Sequence, residues 1–128
     1  MALILIVDDD PAFRNMLAMH VSEMGHEVIL ASDGAEGLDI AKAQTPHVIV
    51  SDIMMPEMDG VEFNALLKLD PVTKDIPVLM LTGNIDKQVE VGRNYSSTFS
   101  FEYIIGKMAP IEQIADVLKE ILYKYYQI

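Results

Sequence analysis

The stretch VIVSDIMMPEMDG, residues 48–60, decides the fold. Its first half is apolar and β-branched, the composition of a strand covered on both faces. It ends in Ser51 and Asp52, then breaks into a methionine-rich loop closed by Pro56, Asp59 and Gly60. A carboxylate at the tip of an apolar strand is costly to dehydrate unless something pairs with it. Asp52 therefore either just opens a loop or is held in place to react. The rest of the chain decides between the two.

Working outward, the same pattern recurs. LILIV (3–7), EVILA (27–31), HVIVS (47–51), PVLML (77–81) and FEYII (101–105) are strand-like, and helical periods fill the gaps between them. Asp10 and Pro11 form a helix start, and Phe13, Met16, Leu17, His20, Val21 and Met24 recur at helical spacing before Gly25 ends the run. Asp33 with Glu36 three residues on resembles a capping box. Val61, Phe63, Leu66, Leu67 and Leu69 make a third helix, ending near Asp70 and Pro71. A weaker fourth falls near Asp86 to Val91, before the polar run 94–100. Pro110 opens the fifth, with Ile111, Ile114, Ala115, Leu118, Ile121 and Leu122 on one side. This alternation predicts an α/β fold: a doubly wound, five-stranded parallel sheet flanked by five helices. With no repeat, linker or low-complexity tract, residues 1–128 read as one domain.

In such sheets the working crevice lies beyond the carboxyl ends of the strands, and the unusual residues fall there. Asp8, Asp9 and Asp10 follow the first strand, Asp52 the third, Thr82 the fourth and Lys107 the fifth. Carboxylates brought together raise one another's pKa unless a cation neutralises them. Oxygen-only ligands favour Mg²⁺ or Mn²⁺ over zinc. Lys107 offers a point charge and Thr82 a hydroxyl donor to a phosphoryl group. Asp52 is then a nucleophile toward phosphorus, forming an aspartyl phosphate. Asp10 reads as the helix cap alone. His20, His26 and His47 read as packing or surface residues, and Met54 and Met55 as local shielding.

Composition narrows the functions further. Nine basic and 20 acidic residues give a net charge of −11, and the pI is near 4.4. Such a field repels nucleic acid and anionic membrane surfaces and suits a cation or a basic partner. With no cysteine, neither disulfides nor a thiolate zinc site is possible. The apolar start MALILIV stops after seven residues and has no basic leader, so it reads as a strand of a cytoplasmic protein.

The segments ILIVDDDPAFR, VIVSDIMMPEMDG and IPVLMLTG together resemble the receiver domain of two-component response regulators, of the single-domain chemotaxis type. The likeness is close over residues 1–83 and looser beyond. It implies a flavodoxin-like sheet of strand order 2-1-3-4-5. It implies Asp52 as phosphoacceptor, and Mg²⁺ held by Asp8, Asp9, Asp52 and the backbone carbonyl of Met54. It implies Thr82 as the switching hydroxyl, Lys107 as the family's lysine, and Pro56 and Gly60 as the turn after the phosphoacceptor. It implies Met54 and Asn84, the variable positions following Asp52 and Thr82, as the ones that tune the phosphoryl lifetime. The phosphoryl donor it implies is a phosphohistidine on a histidine kinase or histidine phosphotransfer protein. Output then passes to a further protein by altered contacts, with no nucleic acid or membrane bound. Such a protein is a signalling switch with weak self-catalysed transfer and hydrolysis, not an enzyme.

The chain departs from the family pattern at two places. Lys107 is followed by Met108 where the family has proline after a cis bond. A cis bond before methionine costs about 3 kcal/mol or more, so a trans bond and an altered loop are expected. The aromatic switch position, three residues before the lysine, holds Ile104, with Tyr103 one residue earlier. Ile104 is the expected switch residue, with Tyr103 pointing outward, unless a bulge exchanges their faces. The altered loop motivates an alternative, a degenerate receiver that binds partners without phosphorylation. A haloacid-dehalogenase-type phosphatase fails because Ala12 stands where that family has Thr or Val, and little chain is left for a cap domain. A flavin binder fails because three carboxylates would repel its phosphate.

Overall fold

The computed structural model describes residues 1–83 and 103–128. Five strands run in parallel: β1 (Leu3–Val7), β2 (Glu27–Ala31), β3 (Val48–Asp52), β4 (Val78–Thr82) and β5 (Tyr103–Gly106). Four helices lie among the described residues: α1 (Pro11–Glu23), α2 (Gly34–Gln44), α3 (Gly60–Leu69) and α4 (Ile111–Tyr126). The helix expected near residues 86–91 falls outside them. Strand order is β2-β1-β3-β4-β5, as expected.

Burial explains the composition of the strands. Every residue of β3 and β4 is buried, as are the last four of β1, whereas β2 at the sheet edge is mostly half-exposed. Alternate side chains feed two cores. Ile4, Ile6, Val48, Val50, Leu79 and Leu81 pack with Leu17 and Val21 of α1 and with Ile114, Leu118, Ile121 and Leu122 of α4. Leu5, Val7, Ile49, Val78 and Met80 pack on the opposite face with Ala41 of α2 and with Val61, Phe63 and Leu67 of α3. At roughly 1.5–3 kcal/mol for each large apolar side chain fully buried, these two layers are the main favourable term holding the sheet.

The helix ends follow the capping signals. Asp10 Oδ1 accepts from the N–H groups of Ala12 and Phe13, at 3.1 and 3.5 Å. Asp33 accepts from Glu36 N–H at 2.8 Å, and the Glu36 carboxylate returns to Ser32 N–H at 3.1 Å. Asp59 caps α3 through Glu62 N–H at 2.8 Å. Gly25 leaves α1 with φ of +95°, a conformation that glycine adopts without steric cost. Met16 and Leu69 fall within α1 and α3 as their spacing predicts, and are 49% and 68% exposed because each lies beyond the arc its helix turns toward the sheet. Pro110 opens α4 from the cap position, where its carbonyl receives Gln113 N–H.

Two of the three histidines, His26 and His47, do more than pack. Nδ1 of His26 accepts Ala2 N–H at 3.1 Å, and Nδ1 of His47 accepts Leu3 N–H at 3.0 Å. Together they tie down the start of β1. Tyr126 at the end of α4 donates to the His47 carbonyl at 2.6 Å. No helix among the described residues is long and apolar enough to cross a membrane.

Candidate functional site

The order β2-β1-β3 means the chain leaves β1 to one side and β3 to the other, opening a crevice at their carboxyl ends. Val7 pairs with Ser51, and Asp52 pairs with Leu81, so Asp8 and Asp52 emerge beside each other. Thr82 pairs with Gly106, which brings Lys107 to the same edge. Lys107 N–H donates to the Thr82 carbonyl at 2.7 Å, fixing the point from which its side chain departs.

Three carboxylates meet there. Ligand atoms of Asp8, Asp9 and Asp52 all lie within 4.8 Å of one another. Asp8 and Asp52 are buried and Asp9 is exposed, so the cluster has a dry floor and a wet mouth. Asp10, by contrast, turns its carboxylate to the α1 cap. The ammonium of Lys107 stands 2.9 Å from Asp8 Oδ2 and 3.2 Å from Asp52 Oδ2. It also stands 3.2 Å from Asp8 Oδ1, so both oxygens of that carboxylate face the one ammonium. Met54 N–H donates to Asp52 Oδ1 at 3.3 Å.

Electrostatics reflect this crowding. Burial, and then the charge of Asp8, push the Asp52 carboxyl above the usual carboxylate range. Lys107 and the Met54 N–H pull it down without cancelling that rise. For Lys107, burial works against the charge, but its bond to Asp8 and the charges of both acids outweigh it, and its pKa is raised. One ammonium is thus shared by two buried carboxylates. Three carboxylates within ligand reach of one another, their oxygen-only donors and the raised pKa of Asp52 all fit a small hard divalent cation.

The loop after Asp52 is shaped from both ends. Gly60 N–H donates to the Ile53 carbonyl at 2.7 Å. A Cβ on Gly60 would meet the Asp52 carbonyl oxygen at 2.5 Å and Ile53 Cα at 2.7 Å, so only glycine allows this approach. Glu57 has φ of 66°, and Met58 N–H closes on the Pro56 carbonyl at 2.7 Å, a tight turn. Met55 is buried in the core while Met54 is 62% exposed.

The departures from the family pattern resolve as follows. The Lys107–Met108 bond is trans, like every peptide among the described residues, and Lys107 nonetheless enters the cleft. Ile104 packs with the α2–α3 core, whereas Tyr103 packs on the α1–α4 core. Tyr103 is therefore half-buried, with Lys124 Nζ 5.9 Å from its ring centre, and not turned outward as expected; the strand start puts it on α4. Asn84 lies outside the described residues. Two contacts to the site were not foreseen. Arg14 donates to the Asp8 carbonyl at 3.0 Å, and the Phe13 ring centre lies 4.7 Å from Lys107 Nζ. Phe13 read only as part of a helical stripe, although its place one turn from the acids was a signal.

A parallel α/β sheet with an acidic crevice at its switch point and a lysine reaching in from the last strand has well-defined relatives. The chain belongs to the response regulator receiver domain family, whose model matches residues 4–119. It is 32% identical over 126 residues to a probable transcriptional regulator, ycf27, of Porphyridium aerugineum, covering 92% of this chain and 48% of that protein. It is 39% identical over 92 residues to the DNA-binding dual master transcriptional regulator RpaA of Synechocystis, covering 70% of this chain and 38% of that one. The chain thus spans less than half the length of these curated relatives. Among solved structures, the chemotaxis protein CheY4 of Vibrio cholerae superposes with a TM-score of 0.85 at 30% identity, covering 95% of this chain and 99% of that one.

Proposed function

We propose that residues 1–128 act as one phosphorylatable receiver, with Asp52 accepting a phosphoryl group from a phosphohistidine. An oxygen of Asp52 attacks phosphorus, the P–N bond breaks, and the imidazole leaves with its electron pair. The observation that carries this reading is the position of Asp52: buried at the crevice floor, bonded to Lys107 and within ligand reach of Asp8 and Asp9.

Asp8, Asp9, Asp52 and the Met54 carbonyl are the proposed ligands of Mg²⁺, or Mn²⁺ in its place. When bound, the cation neutralises charge on the transferring group. Lys107 pairs with a phosphoryl oxygen and orients the group over Asp52. Thr82, 1% exposed at the end of β4, supplies its hydroxyl to the phosphorylated state. Ile104, on the same sheet face as Met80, follows that change as the switch side chain; Tyr103 sits on the other face.

The donor is a histidine kinase or a histidine phosphotransfer protein, and the readout is a change of protein contacts. The role is that of a cytoplasmic switch with weak self-catalysed chemistry, not of an enzyme. The charge of −11 argues against nucleic acid or membrane as a direct partner of this chain. The altered loop after Lys107 motivated the alternative of a degenerate receiver; the reach of its ammonium to Asp8 and Asp52 supports the phosphorylatable reading instead.

Beryllofluoride, a phosphoryl analogue, tests the switch. With Mg²⁺ it should move the amide resonances of Thr82 and Ile104 in the wild type and leave them unmoved in Asp52→Asn. Unmoved wild-type resonances would contradict the reading.

A further inference from the structure

Lys107 leaves the sheet at the end of β5, on a loop whose next residue faces solvent. The following peptide is trans, Met108 is 89% exposed, and the loop closes through Ala109 N–H to the Gly106 carbonyl at 3.0 Å. A four-carbon stem with free rotamers loses much entropy when confined to one geometry. Nevertheless, the Lys107 side chain is only 17% exposed. Two carboxylates account for part of this. They are, however, the same groups whose oxygens suit a cation, so neither is reserved for the lysine.

A third partner is not shared in that way. Nζ lies over the Phe13 ring, 4.7 Å from its centre, inside the range where a ring quadrupole attracts an ammonium. Phe13 is fixed by its place in the first turn of α1, next to the Asp10 cap, and by packing against the α1–α4 core. We propose that Phe13 is a positioning residue for phosphoryl transfer, its ring seating the Lys107 ammonium over Asp52. The proposal rests on the reading of Asp52 as phosphoacceptor. The ring bonds no phosphoryl oxygen itself and acts only through Lys107.

The test compares Phe13→Leu, which keeps apolar bulk without a π face, with Phe13→Tyr, which keeps the face. In the metal-free protein, ring current should move the Lys107 side-chain methylene protons upfield; Leu removes the shift and Tyr retains it. With Mg²⁺ and acetyl phosphate, Phe13→Leu should slow phosphorylation about two- to fivefold, as expected for loss of a partly exposed cation–π contact. Phe13→Tyr should restore the rate. In a Lys107→Ala background the Leu replacement should have no further effect, because the ring then has nothing to seat. A cost of equal size in that background, or an unshifted lysine in the wild type, would overturn the proposal. A normal wild-type rate left unchanged by Phe13→Leu overturns it alone, whereas no wild-type phosphorylation at all overturns the phosphoacceptor reading as well.

Discussion

The ammonium of Lys107 stands 3.2 Å from Oδ2 of Asp52, across 55 positions of sequence and from the far side of β4. The contact is made without the backbone bend that a lysine–proline pair would impose there. It leaves a second buried acid, Asp8, sharing the same positive charge. Among the described residues, the cleft therefore carries more negative charge than Lys107 offsets, and several consequences of that excess are measurable.

Asp52→Asn should stabilise the metal-free protein. A carboxyl whose pKa is raised on folding takes a proton more readily in the folded state, so its ionised form opposes folding. The opposition is complete above the folded pKa and fades as pH falls through it. At pH 7 the amide should raise Tm by roughly 2–6 °C, with the gain shrinking in acid. Thermal melts in chelator at pH 7 and pH 4 check both parts.

Divalent cation should stabilise the wild type in a way that separates Asp9 from Asp10. At about 100 times Kd, Mg²⁺ adds about 2.7 kcal/mol to folding. Asp9→Asn should abolish most of that increment with little effect on the metal-free melt, since Asp9 is exposed. Asp10→Ala should do the reverse: lose about 1 kcal/mol of stability with its helix cap and keep the response to Mg²⁺. Melts across a Mg²⁺ titration distinguish these patterns.

Gly60→Ala should damage the site from outside it. Its Cβ would sit 2.5 Å from the Asp52 carbonyl oxygen, and backbone cannot yield as a flexible side chain can. The expected loss is about 1–3 kcal/mol, with weaker Mg²⁺ stabilisation as the end of β3 shifts. Urea unfolding with and without Mg²⁺ measures both.

The base of β1 should be sensitive to acid. Burial, then the nearby N-terminal ammonium and His47, lower the pKa of His26, whose Nδ1 must stay unprotonated to accept Ala2 N–H. The unfolded chain then binds more protons than the folded one, so stability falls as pH drops below about 6.5 toward the folded value. His26→Asn, which keeps an acceptor but does not titrate, should flatten that slope. Urea unfolding between pH 7.5 and pH 5 tests this.

Sequence pattern reached far into this molecule, for physical reasons. Strands covered on both faces are continuously apolar, and so β1, β3 and β4 could be read directly. Asp8, Asp9 and Asp52 stood out because charge at the end of such a strand is costly unless paired, and Lys107 because it follows the last strand into the same crevice. Three-dimensional neighbours without a sequence period were not legible. The Phe13 ring beside Lys107 joins α1 to the loop after β5. The imidazoles of His26 and His47 serve β1 from two other segments. Tyr103 was misplaced because which face the short edge strand β5 shows to α4 depends on pairing with β4.

Intact mass after incubation with Mg²⁺ and acetyl phosphate tests the central claim most directly. The account predicts a gain of about 80 Da in the wild type, absent without Mg²⁺ and absent in Asp52→Asn. An unchanged wild-type mass, or an equal gain in Asp52→Asn, would contradict it.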